Sequence, residues 1–453
     1  KVASLAVLIG AGADASWPAA ERAAARVEVA AASLARASEA PPPEAAIPAR
    51  LTLGEALRIF RERGLDLLIA EAAVAGAEGD VRTAGAVPNP LLSGSLGKSW
   101  SCGPAGCPGP AWGAGLSDQA ALSDVLSGKR GLRLDVARAA LAAARLSRDD
   151  AERTLSFQVK QQFLAALVGR RALDYAREAQ AATREMLQLS QARFRAGAVS
   201  EADVTRFEVQ ALEAERGVDQ ALQALRQAKV GLAFLLGART STPEFEAEAP
   251  ELLHATAPAK LAAATPEGLL AEARRLRPDL GAAARQEERA AAAVALARRQ
   301  LVPEVALSLQ YAQQGSGPTA VTPPTGTVGL SLPIPLLYQQ QGEVARAEAD
   351  QRGLAAARAK LEAQVLSDVE GAHAAYASAR RRAERMEARL LDRARLARDL
   401  VRIQYQKGAA SLLDYLDAER TYIAVQVEYL DDLSTYWTAV FQLEEAVGTD
   451  LRS

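Results

Sequence analysis

The segments FRAGAVSEAD, residues 194–203, and YQKGAASLLD, residues 405–414, repeat one pattern of four positions. An aromatic residue is followed by glycine, then by serine and then by aspartate, each three positions after the last. Glycine readily takes the left-handed conformation that ends a helix. A serine followed three residues later by an acid is typical of the capping box that begins a helix. Each segment therefore predicts a tight turn between two helices, with Ser200 and Ser411 as N-caps.

The distance between these segments recurs elsewhere in the chain. Gly408 follows Gly197 by 211 positions, and LTLGEALRIFRERGLDL (51–67) resembles ATPEGLLAEARRLRPDL (264–280), which begins 213 positions later. Landmarks that keep their order and nearly one offset indicate an internal duplication. We therefore predict two tandem repeats, residues 51–237 and 264–453, joined by an inter-repeat linker at residues 238–263.

The same order of parts is predicted in both repeats, namely a helix, a hairpin, a long helix, a tip and a return helix. The hairpins cover residues 90–122 and 303–336, and the tips cover residues 194–203 and 405–414. Because no proline occurs from Lys129 to Arg195, the first long helix would extend about 100 Å. The predicted fold is mainly α with a small β part.

The hairpin of the second repeat alternates between apolar and polar positions. VALSLQY (305–311) and TVGLSLPI (327–334) each place apolar side chains on one face and small or polar ones on the other. Such strands suit a barrel between lipid and a watery lumen, although a soluble β-layer is the open alternative. In lipid, four strands per chain can neither close an open barrel nor leave edges unpaired. Three chains would supply twelve strands.

The N-terminal segment indicates export. Lys1, an apolar run and the small residues around Asp14 are typical of a signal peptide, predicted here at residues 1–15, with an ordinary buried helix start as the alternative. Residues 16–50 are predicted to be a flexible linker, and Ser16 after the cleavage-like site predicts no lipid anchor. In an oxidising compartment the two cysteines, Cys102 and Cys107, predict a loop disulfide, with a free pair as the alternative.

The composition argues against several other functions. A formal net charge of -2 and a pI of about 6.0 give no basic field for nucleic acid. No Ser-His-Asp set, phosphate loop or metal-ligand cluster is apparent, so we predict no enzyme activity and no cofactor. His254, His373, Met186 and Met386 are too scattered to hold soft metal ions strongly.

The duplicated order of helix, hairpin, long helix, glycine tip and return helix resembles the TolC-type outer-membrane efflux channels. The resemblance covers nearly all of residues 51–451, and FRAGAVSEADVTRFE and YQKGAASLLDYLDAE match the family's two tip turns. LSGKRG and YQQQGEVARAEAD, which follow the strands, look like the branch that serves heavy-metal or small-molecule pumps of the RND class. The resemblance implies a homotrimer with a twelve-stranded β-barrel in the outer membrane and an α-barrel in the periplasm.

The resemblance also implies roles for the two tips. A periplasmic adaptor protein, which links the channel to an inner-membrane RND pump or ABC exporter, would dock on eight tip residues: Gly197, Ala198, Val199, Ser200, Gly408, Ala409, Ala410 and Ser411. By the same resemblance Asp414 and Asp417 align with paired constriction acids, and Tyr405 would help to latch the closed state. The alternative for Asp414 is that it is only a capping acid. Asp417 has Arg206 as its counterpart in the first repeat, so capping does not explain it, although a solvated helix face does.

The sequence therefore favours an outer-membrane exit duct of a tripartite efflux system. An outer-membrane channel for type I protein secretion would have the same fold, and only its partner pump would differ. A periplasmic coiled-coil scaffold without a pore is a third hypothesis, which explains the helices but not the alternating hairpins.

Overall fold

A computed structural model describes residues 47–98, 100, 107–315 and 320–452. These residues are mostly helical with one small sheet, as the sequence predicts. The signal-like segment, most of the 16–50 linker and Cys102 lie outside the described residues. Within the described residues, no helix combines the length and apolarity that a membrane crossing requires.

Each repeat has two helices before its hairpin, where the sequence analysis predicted one. Strand β1 (Arg50–Leu51) precedes α1 (Leu53–Arg63) and α2 (Leu65–Ala84). The break lies at Gly64, where ψ is 118° and a Cβ would come within 2.6 Å of the Phe60 ring. In the second half, α7 (Pro266–Leu276) and α8 (Pro278–Arg299) are separated at Arg277, whose ψ of 119° suits a residue before proline.

The two predicted hairpins form one antiparallel sheet. Its strands are β2 (Leu91–Gly97), β3 (Ala111–Ser117), β5 (Ala306–Gln314) and β6 (Thr322–Ser331), in the order β2-β3-β5-β6. Helix α3 (Ala121–Leu126), which the sequence did not predict, follows β3 directly.

The sheet has one apolar face and one polar face, and both run across all four strands. In one row the register aligns Leu92, Leu116, Leu309 and Val328. In the next row it aligns Ser93, Gly115, Gln310 and Thr327. None of the four strands contains a charged residue. The alternation seen clearly in the second repeat therefore extends to the weaker Gly- and Ser-rich strands of the first.

Long helices connect the sheet to the tips. Helix α4 (Lys129–Arg195) has 67 residues and turns into α5 (Glu201–Leu235). In the second half, α9 (Gln341–Arg385) is followed by a π-helical turn at Met386–Leu390, then by α10 (Leu391–Gln406) and α11 (Leu412–Val447). The long helix predicted for the second repeat is therefore continuous from residue 341 to 406, with one π-helical turn inside it.

The main core lies where the helices of both halves meet the inter-repeat linker. Phe60, Phe163 and Tyr436 are among its buried side chains. The linker contains β4 (Glu246–Ala247), which pairs in parallel with β1, and α6 (Ala259–Ala263). Tyr429, Tyr436 and Trp437 of α11 donate side-chain hydrogen bonds to the carbonyls of residues 253, 256 and 254. Because the hydroxyl and indole N–H groups of these side chains find acceptors in the linker backbone, the linker is held firmly against α11.

Candidate functional site: the paired helix tips

Both tips are tight turns of the predicted kind. Gly197 and Gly408 have φ angles of 71° and 77°, in the left-handed region. In the first tip the N–H of Ala198 bonds the carbonyl of Arg193 at 2.9 Å. In the second, the N–H of Ala409 bonds the carbonyl of Gln404 at 2.8 Å. These bonds close the ends of α4 and α10 in the Schellman arrangement.

The serine after each turn begins the next helix as an N-cap. Ser200 and Ser411 each accept a backbone hydrogen bond from the aspartate three residues later, and the aspartate carboxylate accepts one in return. The Ser411 hydroxyl also donates to the Asp414 carboxylate at 2.6 Å. The predicted N-caps and capping boxes are thus confirmed in both tips.

Hydrogen bonding within the capping box changes the acidity of Asp414. The Ser411 hydroxyl, followed by the Ser411 N–H, stabilises the carboxylate and lowers its pKa below the ordinary value. The Asp414 carboxylate therefore already accepts two hydrogen bonds from Ser411 at the start of α11. Its role as a constriction acid stays a prediction.

Asp417 differs from Asp414 in its surroundings. It is exposed, and among the described residues it forms neither a hydrogen bond nor an ion pair. It lines a groove of about 340 Å³ between α5 and α11, whose wall includes Arg206 and Arg420. The geometry leaves its carboxylate available to other groups, which is compatible with the predicted constriction and with a solvated face.

Tyr405 is buried at the base of the tips rather than exposed at their rim. It stacks on Tyr415 with ring centroids 5.4 Å apart and contacts Phe207 at 6.2 Å. Together with Met186, these three residues form a small core that is separate from the main core, and we call it the tip cluster. Burial raises the pKa of Tyr405.

Arg193 joins the two repeats at this level. Its guanidinium donates to the carbonyls of Tyr405, at 3.2 Å, and of Gln406, at 2.8 Å, and lies 5.0 Å from the centre of the Tyr405 ring. A cation at a helix C-terminus is favoured by the helix dipole, so that Arg193 stabilises the end of α10 from the other repeat. The sequence analysis did not identify this residue, since nothing local in the sequence links it to Tyr405.

Glu419 is a second residue near the tips whose environment the sequence analysis did not predict. Only 5% of the residue is exposed, and the oxygen Oε2 has no hydrogen-bond partner among the described residues. Burial raises its pKa, while the nearby guanidinium groups of Arg398 and Arg402 oppose that shift. Its counterpart in the first repeat, Glu208, is exposed. A buried acid on the same helix as Asp417 therefore distinguishes the second tip from the first.

The eight predicted docking residues lie together on the turns. Six of them are exposed, and Val199 and Ala410 are half-buried. The sequence analysis also predicted a disulfide between Cys102 and Cys107. Cys107 is disulfide-bonded, but Cys102 lies outside the described residues, so the predicted pairing stays a prediction.

Comparisons with known proteins agree with this architecture. The model of a family described as outer membrane efflux protein matches residues 57–238 and 269–449. The cobalt-zinc-cadmium resistance protein CzcC of Cupriavidus metallidurans is 25% identical over 414 residues, which cover 90% of this chain and 92% of that protein.

Solved structures share the fold. A structure of CusC, from a study of transmembrane channel formation, has a TM-score of 0.71 at 19% identity and covers 88% of this chain and 92% of its own. The outer membrane protein VceC of Vibrio cholerae has a TM-score of 0.68 at 21% identity, with coverage of 88% and 96%. The open state of the MtrE outer membrane channel of Neisseria gonorrhoeae also has a TM-score of 0.68, at 18% identity, with coverage of 88% and 90%.

Proposed function

Because the chain belongs to the outer membrane efflux protein family, we propose that it is the exit duct of a tripartite efflux system. The family places it in the outer membrane as an efflux channel, and a pore-less scaffold is thereby excluded. The finer proposal is that three copies form one duct, through which substrates pass from an adaptor and an inner-membrane pump to the exterior.

The two-faced sheet with its unpaired edges carries this proposal. Every large apolar side chain in the row from Leu92 to Val328 is exposed in the single chain. Strands β2 and β6 each have only one neighbour among the described residues. Since lipid cannot satisfy a free strand edge, β6 of one copy would pair with β2 of the next. Three copies would then close a barrel of twelve strands around the polar face.

Two helices carry exposed apolar side chains near the tips. Val209 and Leu212 of α5 are 52% and 66% exposed, and Leu400 and Ile403 of α10 are 52% and 48% exposed. Long helices need lateral partners for such stripes. Neighbouring copies in a trimer would cover them, which extends the proposed assembly from the sheet to the periplasmic α-barrel.

The tips would form the periplasmic mouth of the duct. Three copies would bring together six Schellman turns with exposed small residues, and we propose this rim as the docking site of the adaptor protein. Small side chains leave the backbone accessible to a partner's hairpin. The inner-membrane pump beyond the adaptor would be of the RND class, with an ABC exporter of type I secretion as the alternative.

Asp417 would narrow this mouth and give it a negative charge. On a threefold axis its exposed carboxylate becomes a ring of three, and acid rings favour cations over anions. Asp414 would contribute less, since its carboxylate is engaged by Ser411. Tyr405 would act indirectly, because it lies in the tip cluster and fixes the end of α10.

Heavy-metal cations are the proposed substrates. The supporting observation is the similarity to a cobalt-zinc-cadmium resistance protein over 90% of this chain, and an acid ring at the mouth is compatible with cation passage. A strain that lacks the gene should become sensitive to cobalt, zinc or cadmium, and the gene in trans should restore resistance. Unchanged metal resistance together with lost secretion of a protein would favour the type I alternative.

A further inference from the structure

Helix α3 has its polar side chains inside and its apolar side chains outside. Asp124 is only 4% exposed, and its carboxylate binds the Arg133 guanidinium at 2.7 and 2.6 Å. The Ser123 hydroxyl accepts the N–H of Val305 at 3.0 Å, which seats α3 against the start of β5. On the opposite side Leu122 and Leu126 are 59% and 77% exposed. A helix in water normally has the reverse arrangement.

The segment after β6 also exposes large apolar side chains, at the same end of the sheet. Ile334, Leu336 and Leu337 are 68%, 79% and 99% exposed. The next side chain, Tyr338, is itself 51% exposed, and its hydroxyl donates to the Glu343 carboxylate at 2.6 Å and accepts the Gly342 N–H at 3.1 Å. The exposed leucines are therefore attached to the first turn of α9 and do not belong to a loose loop.

We define the apolar collar as the exposed side chains of these two segments: Leu122, Val125, Leu126, Ile334, Leu336 and Leu337. Both segments lie where strands meet helices, since β3 ends before α3 and β6 ends before residue 334. Ile334 also continues the alternation of Val328 and Leu330 on the apolar face. The collar therefore prolongs the apolar face toward the helices.

The height of the apolar face explains why such a prolongation is needed. On β3 the outermost apolar side chains, Trp112 and Leu116, are four residues apart, which is about 13 Å along a strand. At a tilt of about 40° this gives about 10 Å of height, against an apolar band of about 25 Å in outer-membrane barrels. On β3, the strand that precedes α3, the apolar side chains of the strand alone would leave a large hydrophobic mismatch.

We propose that the apolar collar inserts into the periplasmic leaflet of the outer membrane and contacts phospholipid acyl chains there. This inference rests on the proposed placement of the sheet in lipid and extends the membrane-contacting surface to a helix and a loop outside the sheet. The inverted polarity of α3 is then explained, because its outer side contacts hydrocarbon and not water. Asp124 and Ser123 are satisfied by protein, and the leucines face hydrocarbon.

The test uses the full chain reconstituted in phosphatidylethanolamine–phosphatidylglycerol vesicles. Single nitroxide labels are placed on Leu126→Cys and Leu337→Cys in a background in which Cys102 and Cys107 are replaced by serine. Collision rates are measured with oxygen, which concentrates in lipid, and with a water-soluble nickel chelate. These positions are 77% and 99% exposed, so the label displaces no core packing.

Two reference positions separate failure of this inference from failure of the proposed function. A label at Leu330→Cys reports the apolar face, and a label at Ile69→Cys reports the exposed surface of α2. The inference predicts that both collar labels collide with oxygen in preference to the nickel chelate, as the Leu330 label does. The preference should be smaller than at Leu330, because the collar lies nearer the membrane–water interface. Collar labels that behave like Ile69, while Leu330 reports lipid, would overturn the inference and leave the barrel intact.

Two further outcomes also overturn the inference. Collar labels shielded from both reagents, with spin coupling between copies, would mean that a neighbouring chain covers the collar. A Leu330 label that reports water would refute the placement of the sheet and, with it, the collar in lipid.

Discussion

The substitution Phe207→Ala tests whether the tip cluster holds the two repeats together. Phe207 is fully buried, with its ring 6.2 Å from that of Tyr405 and 6.3 Å from that of Tyr415. Truncating a buried phenylalanine typically lowers the free energy of unfolding by about 3 to 5 kcal/mol. Because the tip cluster is separate from the main core, the loss should fall on local opening of the tips.

Hydrogen exchange followed by mass spectrometry measures this local opening in the full chain in detergent. A loss of about 3 kcal/mol corresponds to roughly a hundredfold faster exchange, and more where the loss is larger. We expect this acceleration in tip peptides from both repeats, residues 183–210 and 400–420. Peptides that contain Phe163 or Tyr436 of the main core should exchange at the rate of the unmodified protein.

The matched control is Phe194→Ala, since Phe194 lies in the first tip but is 44% exposed. It removes the same side chain without opening a buried cavity, so tip exchange should change by much less. Equal exchange in the two variants, or acceleration by Phe207→Ala in the first tip alone, would refute the claim that this cluster joins the repeats.

Three further predictions concern single positions at the tips. Burial raises the pKa of Glu419, so its stabilising contribution is fully present below the unfolded-state pKa and is lost as pH rises through the raised folded-state value. Glu419→Gln should therefore flatten the pH dependence of tip exchange, corrected for intrinsic rates, and a variant that keeps the original dependence would contradict this cause. Gly408→Ala should destabilise the tip by about 1 kcal/mol, because a φ of 77° is unfavourable for a residue with a Cβ. No atom lies within 4 Å of the new Cβ, so a steric clash would not add to this cost. Gly353→Ala, within α9, should stabilise by about 0.5 to 1 kcal/mol, and equal shifts in melting temperature would contradict the conformational explanation. Asp417→Asn should raise single-channel conductance and weaken cation selectivity in planar bilayers, and selectivity equal to that of a Glu208→Gln control would exclude the acid ring.

The tips could be predicted because their determinants are local. A glycine at positive φ and a serine with an acid three residues later specify a turn within ten residues. The strands of the second repeat were equally accessible, since Leu307, Leu309 and Tyr311 alternate with small or polar residues. In the first repeat, serine and glycine obscured the same period, and only the cross-strand register with β5 makes it evident.

Features that depend on tertiary contacts were not predictable. Helix α3 has six residues, and its position depends on the pairing of Asp124 with Arg133 and of Ser123 with β5. The contact from Arg193 to Tyr405 joins residues separated by 212 positions. Val305 is 182 positions from Ser123, so in both cases a deciding partner lies outside the local sequence window.

Cross-linking of the two sheet edges between copies tests the central claim most directly. Val328→Cys on β6 is combined in turn with Leu92→Cys, Gly94→Cys or Leu96→Cys on β2, all on the apolar face, and the protein is oxidised in the outer membrane. The account predicts that at least one register gives covalent products that grow to three chains and stop there. No cross-link in any register, or products that continue beyond three chains, would contradict a closed barrel shared by three copies.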